Sequence, residues 1–206
     1  MSKLMRFAAA AAFSLVSLTG LDAAPAVNQP APGFTATTAK GETLSLEDLA
    51  GKTVILEWTN HLCPFVGKHY GSGNMQALQQ EMTEKDIVWL QVISSAPGKQ
   101  GYVEGPEAIV LNKGRSARPS GTLLDPAGTL GRAYAALVTP QMYIIDPQGS
   151  LLYTGGIDSI PSANPADIPS ATNYVREAMT AIEAGKPVPN PVTRAYGCTV
   201  KYAPSS

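Results

Sequence analysis

Val54-Ile55-Leu56-Glu57-Trp58-Thr59-Asn60-His61-Leu62-Cys63-Pro64-Phe65-Val66 reads as a buried strand that ends in a short loop and hands a cysteine to the start of a helix. Val54 to Trp58 is β-branched, aromatic and apolar apart from Glu57, the composition of a strand covered on both faces. Pro64 suits the first turn of a helix, where its missing N–H costs nothing. A thiol at that position lies where the aligned peptide dipoles favour an anion, so Cys63 is expected to be a more populated thiolate than an ordinary cysteine. The chain has one other cysteine, Cys198, close to its end.

Outward from this stretch, strand and helix signals alternate. Phe34 to Leu46 holds Lys40-Gly41 between two short β-like runs, a hairpin pattern. Pro64 to Glu84 is helical in composition, with a break at Gly71-Ser72-Gly73. Ile87 to Ile93 is nearly continuous apolar and reads as a central strand. Gly105 to Asn112 reads as a short helix, Pro119 to Leu124 as a strand and Thr129 to Ala135 as a helix. Met142 to Ile145 and Leu151 to Thr154 form a hairpin around Asp146-Pro147-Gln148-Gly149. Ser170 is the expected N-cap of a last helix that runs to Ala184. The order describes one α/β domain around a mixed sheet.

Before that domain, Lys3 and Arg6 precede an apolar run from Phe7 to Leu18, and Ala24-Pro25-Ala26 fits a small-x-small cleavage site. Residues 1–26 therefore read as a secretory signal peptide, the apolar run falling short of the roughly 20 residues of a membrane span. The domain organisation expected is a cleaved leader over 1–26, the folded α/β domain over 27–186 and a tail over 187–206 carrying Cys198. The mature chain is expected in a periplasm or outside the cell, with no membrane segment once the leader is removed. A net charge of −1, from 15 basic and 16 acidic residues, shows no basic cluster and gives no sign of nucleic-acid binding.

The order of strand, cysteine at a helix start, strand, helix, Thr139-Pro140, hairpin and helix resembles the thioredoxin fold. Closer still is the resemblance to exported peroxiredoxin-like proteins of the redoxin group, of the alkyl hydroperoxide reductase/thiol-specific antioxidant type. It is carried by Asn60-x-x-Cys63-Pro64-Phe65-Val66, by His69-Tyr70-Gly71-Ser72-Gly73-Asn74-Met75-Gln76 and by Tyr196-Gly197-Cys198-Thr199-Val200-Lys201-Tyr202. The resemblance implies a thioredoxin-like central mixed sheet flanked by helices, with Cys63 as the redox nucleophile, Cys198 as its resolving partner and Glu57 as a buried proton acceptor. Asn60 is placed to donate to a bound oxygen or to cap its loop. Pro64, Thr139 and a cis Pro140 would line the substrate face, where an unpaired strand edge can take an extended peptide or thiol. It also implies an external thiol reductant as partner, a peroxide or disulfide as substrate, and no cofactor or metal.

Two departures bear on mechanism. Val66 stands where thioredoxins carry a second cysteine, so no disulfide can close within the helix. Asn60 replaces the usual peroxiredoxin threonine, and Thr139-Pro140 falls where the facing arginine belongs, leaving Arg115, Arg118 or Arg132 as substitutes. A different class of function, copper binding through Cys63, His61, His69 and Cys198, uses ligands suited to Cu(I). A third is a catalytically silent module that binds partners through the Pro140 face. The only histidines, His61 and His69, both flank Cys63 and are candidates for tuning it.

Overall fold

A computed structural model describes residues 24–204. All but the last three residues of the expected leader lie outside that range. The β-branched and apolar runs assemble into a seven-stranded mixed sheet. Its strands are β1 (Thr35–Thr38), β2 (Thr43–Ser45), β3 (Val54–Trp58), β4 (Val88–Ile93), β5 (Gly121–Leu124), β7 (Gln141–Ile145) and β8 (Leu151–Gly155), in the order β2-β1-β5-β4-β3-β7-β8. The sixth strand in chain order, β6 (Val138–Thr139), leaves this sheet and pairs with β9 (Cys198–Thr199) in a separate two-stranded one. β3, β4 and β5 run parallel, whereas β7 lies antiparallel to β3.

The period of two along β3 sorts its side chains. Ile55 faces a core shared with α1 (Pro64–Gly71), α2 (Asn74–Glu84) and α5 (Tyr174–Glu183), through Val66, Tyr70, Met75, Leu78, Met82, Val175 and Met179. Val54, Leu56 and Trp58 face a second core with Leu130 of α4 (Thr129–Ala133), Tyr134 and Tyr143. Trp58 meets the Tyr143 ring edge-on at 5.0 Å, and its indole N–H reaches Ser94 Oγ at 3.0 Å. Both faces of the sheet are thereby covered, and β3 is buried throughout. The thioredoxin-like architecture and the hairpin β1–β2 match the expectations from sequence, as does the helix break at residues 71–73. The segment Gly105–Gly114 forms α3, two residues longer than its sequence signal.

The last helix begins later than expected. Pro165–Ser170 is a 3-10 turn, and Ala171 is extended, with φ −82° and ψ 141°. An extended residue cannot continue a helix, so Ser170 does not cap α5. Asn173 does, its side chain accepting from Arg176 N at 2.9 Å, a bond whose loss costs about 1 kcal/mol.

Beyond α5 the chain runs extended back across the molecule. Thr154 N donates to Pro191 O at 3.0 Å and Thr193 N to Thr154 O at 3.1 Å, which places the tail along the outer side of β8. The N-terminal segment takes the other end of the same edge, where Asn28 N donates to Leu151 O and Leu151 N to Gln29 O. Further on, Val200 N donates to Leu137 O, and Tyr202 Oη donates to Ala136 O at 2.7 Å. Among the described residues no helix is long and apolar enough to cross a membrane.

Candidate active site

Register on β3 places the parts of the site. Trp58 faces Gln141 across the β3–β7 pair, so Pro140, one residue earlier, stands at the end of β3 from which the chain leaves for Cys63. Thr139-Pro140 is a cis peptide. Cys63 is the N-cap of α1, with Pro64 in the first turn. Its Sγ donates to the Thr139 carbonyl at 3.1 Å.

The strand edge beside Pro140 is not open. Cys198 lies opposite Thr139 in the β6–β9 pair, so the chain's own tail fills the place expected for an extended substrate. Gly197 makes this possible. It adopts φ 144°, and a Cβ there would come within 1.9 Å of the Thr139 carbonyl oxygen. Only a residue without a side chain fits so close to the cis turn. Both cysteines are free thiols.

The two thiols titrate apart. Burial works against the Cys63 thiolate, but the Cys198 thiol, the Val66 and Cys198 N–H groups and the Thr139 hydroxyl together outweigh it, and its pKa falls below that of an ordinary thiol. Burial, followed by the hydrogen bond and charge of Cys63, pushes Cys198 up to about 11, against a small opposing pull from Lys201. The helix-start expectation for Cys63 thus holds in direction, with the tail supplying the first of the stabilising groups.

Cys63 is 1% exposed. The glycine break at residues 71–73 lies at the far end of α1, and a helix of that length spans about 12 Å, so it opens nothing at the sulfur. The tail is the cover.

Glu57 is fully buried and points to the α1–α2 side of the sheet. Its carboxylate accepts from Tyr70 Oη at 2.8 Å, Trp89 Nε1 at 2.8 Å and Gln79 Nε2 at 3.1 Å. Burial raises its pKa, opposed by Arg115 and by these donors. Neither Lys52 nor Lys68 pairs with it; Lys52 meets Asp86 and Lys68 meets Asp158. Asn60 is 2% exposed and closes its own loop, Oδ1 accepting from Leu62 N at 2.9 Å, while Nδ2 makes a long contact of 3.4 Å to Gln100 O.

Two of the three arginines considered as substitutes have engaged guanidinium groups. Arg115 lies 3.7 Å from the Tyr70 ring centre and donates to Asn112 Oδ1, and Arg132 lies over the Tyr202 ring and donates to Ala203 O. Arg118 contributes its backbone N–H to Gln79 Oε1 at 2.7 Å.

The histidines do not converge on Cys63. Asn74 Nδ2 donates to His69 Nδ1 at 2.8 Å, which leaves the ring proton on Nε2, itself without a hydrogen-bond partner and 3.8 Å from Asp158 Oδ2. Burial, the nearby Lys68 charge adding to it and Asp158 opposing, lowers the His69 pKa from 6.5 to about 4. His61 is lowered as well, by burial and then by Arg115, with Glu107 opposing. Among the described residues no group of three or more His, Cys, Asp or Glu is arranged to hold a metal ion.

The His69 value sets a pH dependence. A folded-state pKa below the unfolded one means that stability is full above about pH 6.5 and is lost as pH falls towards 4. The gap corresponds to at most roughly 3 kcal/mol. Urea midpoints at pH 7 and pH 4.5 should converge for His69→Gln relative to the wild type; an unchanged acid loss in the variant would show that His69 does not cause it.

Two groups of polar residues escaped the sequence reading. Gln79 and Trp89 hold Glu57, and Gln91 donates to Tyr70 Oη at 2.6 Å. Lys68, Asp158 and Tyr196 form the other group. Lys68-His69-Tyr70 on a helix with a buried face was the available signal for the second. Asp158 gave none, lying in the loop after β8.

A model of the AhpC/TSA family matches residues 27–154. Among solved structures, an uncharacterized conserved protein from Geobacillus kaustophilus superposes with a TM-score of 0.73 at 23% identity, covering 88% of this chain and 94% of its own. A hypothetical protein from Sinorhizobium meliloti 1021 gives 0.73 at 18% identity, with 89% and 98% covered. A putative thiol:disulfide interchange protein DsbE from Chlorobium tepidum gives 0.50 at 21% identity, with 64% and 85% covered. These likenesses are of fold. A search of the curated proteins found no match. With well over half of its length matched by the family model, and a free cysteine at a helix start facing a cis-proline turn, the chain belongs to the AhpC/TSA family and is an enzyme of thiol chemistry, a thiol–disulfide oxidoreductase or thiol peroxidase.

Proposed function

We propose that the protein is an exported thiol–disulfide oxidoreductase whose working couple is Cys63 and Cys198. The observation that carries this reading is the pairing of Cys198 with Thr139, which brings a second thiol against the first. The Cys63 thiolate attacks one sulfur of a substrate disulfide. A Cys63–substrate bond forms, the substrate S–S bond breaks, and one substrate thiolate leaves and takes up a proton. Cys198, having given up its proton, then attacks Cys63 Sγ. The Cys63–Cys198 bond forms and the second substrate sulfur leaves, so the substrate gains two electrons and the couple loses two.

The order of the two steps follows from charge. Cys198 is held protonated partly by the neighbouring Cys63 thiolate. Once Cys63 is bonded to substrate that charge is gone, and Cys198 ionises more readily when it is needed. An external dithiol then reduces the pair. In this reading Glu57 is the buried proton acceptor, Asn60 shapes the loop that presents Cys63, Pro64 starts its helix, and Thr139 and Pro140 form the face on which substrate replaces the tail. Export rests on the leader-like residues 1–26.

Family membership favours a second substrate, a peroxide, for the same couple. Cys63 would then pass through a sulfenic acid, which Cys198 condenses to the same disulfide with release of water. The engagement of Arg115 and Arg132 with Tyr70 and Tyr202 weighs against it. Reduced protein mixed with a model protein disulfide or with hydrogen peroxide should acquire the Cys63–Cys198 bond, seen by mass spectrometry, faster with the disulfide. A peroxide rate ten times the disulfide rate reverses the choice of substrate, and no such bond with either overturns the reading.

A further inference from the structure

Beneath the tail lies a buried ionic group that the redox steps do not use. Lys68 Nζ meets Asp158 Oδ2 at 2.9 Å, their side chains 0% and 3% exposed. The same Nζ donates to Ile160 O at 3.0 Å and to Tyr196 Oη at 3.2 Å, and the Tyr196 hydroxyl donates to Asp158 Oδ1. The Tyr196 ring meets Phe65 edge-on at 5.8 Å. Burying an ion pair brings little stability over an apolar pair of the same size. What this one does is join two places in the chain.

Lys68 stands one turn along the helix that Cys63 caps, and Tyr196 stands two residues before Cys198. Each cysteine is therefore tied through its own element to the same pair. Other tail anchors fall elsewhere: Thr193 bonds Tyr153 and Gly156 near β8, β9 pairs with β6, the Val200 N–H and the Lys201 carbonyl bond the backbone of Leu137 and Ala96, and Tyr202 bonds Ala136 beyond α4. Tyr196 is the anchor that touches α1. A hydroxyl bonded to a carboxylate is among the stronger hydrogen bonds of neutral donors.

We propose that Tyr196, seated on the buried Lys68–Asp158 pair, is a positioning residue that holds Cys198 against Cys63 and keeps the tail closed over the nucleophile. The inference rests on the reading of Cys63 and Cys198 as the working couple. Tail closed, the second thiol is in place and Cys63 is covered; tail lifted, the strand edge at Thr139 is free for substrate. Of the bonds that dock the tail, that of Tyr196 to this pair is the charge-assisted one on the nucleophile's helix, and its loss should shift the local balance at Cys198 roughly 10- to 100-fold.

Tyr196→Phe keeps the ring on Phe65 and removes only the hydroxyl. In the reduced protein, site-resolved alkylation of Cys63 by iodoacetamide should speed up at least about 10-fold. In glutathione buffers of graded ratio, the equilibrium for the Cys63–Cys198 bond should fall by a similar factor, with the melting temperature within a few degrees of wild type. A bond that serves stability alone would lower the melting temperature and leave both readouts in place. Tyr196→Leu, which loses the ring as well, should go further in the same direction. Alkylation rates equal to wild type in both variants overturn the latch. A wild-type protein that forms no Cys63–Cys198 bond overturns the functional reading instead, and the alkylation arm then still decides on the latch.

Discussion

Gly197→Ala should slow closure of the Cys63–Cys198 bond by about 100-fold while leaving the fold intact. The added Cβ would lie 1.9 Å from the Thr139 carbonyl oxygen and 2.7 Å from its carbon, both backbone atoms of the turn that faces Cys63. Neither neighbour can swing aside as a side chain would. The strand β9 must back away by more than an ångström, and a misplacement of about 1 Å between reacting groups can cost roughly 100-fold. The φ of 144° adds a second obstacle that alanine cannot meet without strain. Thr193 and Tyr202 still anchor the tail on either side, so thermal stability should change little. Stopped-flow quenching of the reduced protein after a pulse of substrate disulfide measures the rate. Closure as fast as in the wild type would mean that β9 is not the route by which Cys198 reaches Cys63.

Asp158→Ala should cost about 3–5 kcal/mol of stability, the penalty for leaving one member of a buried pair without the other. Lys68 Nζ would keep only the Ile160 carbonyl and the Tyr196 hydroxyl as partners, both neutral. Urea unfolding gives the measurement, as a fall in midpoint at unchanged slope. The double variant Lys68→Met/Asp158→Leu tests the cause. If the uncompensated charge is what hurts, removing both charges restores most of the loss. A double variant as unstable as Asp158→Ala would place the cost in packing.

Much of the fold was legible because local signals agreed with one another. The apolar run Val54 to Trp58, the proline at residue 64 and the glycines at 71 and 73 each marked an element boundary that formed where its chemistry pointed. The start of α5 was misread because Ser170 and Asn173 are both acceptable caps in sequence. What decided between them was the proline-bearing turn before Ala171, whose extended backbone only the structure reveals.

The site was less legible, for a different reason. Cys63, Glu57 and Thr139-Pro140 lie within or next to regular elements, where period and register place them. The tail has no period, and nothing along residues 187–206 indicates that Cys198 takes the strand position opposite Thr139. Gly197 is the residue that could have pointed there, a glycine flanking a cysteine in a segment with no turn to make. Asp158 stayed silent because its partner Lys68 is distant in sequence, and a single carboxylate in a loop looks like any solvated one.

The run of residues 28–29 and 191–193 along β8 bears on handling the molecule. Asn28 and Gln29 bond one end of that edge strand and Pro191 and Thr193 the other. Unpaired edge strands template association between chains, and here these two segments act as guards against it. Cutting the chain after α5 to uncover Cys63 would therefore remove one guard together with the cover. Gain of reactivity and gain of self-association would arrive in the same preparation, whereas a substitution at residue 196 or 197 separates them.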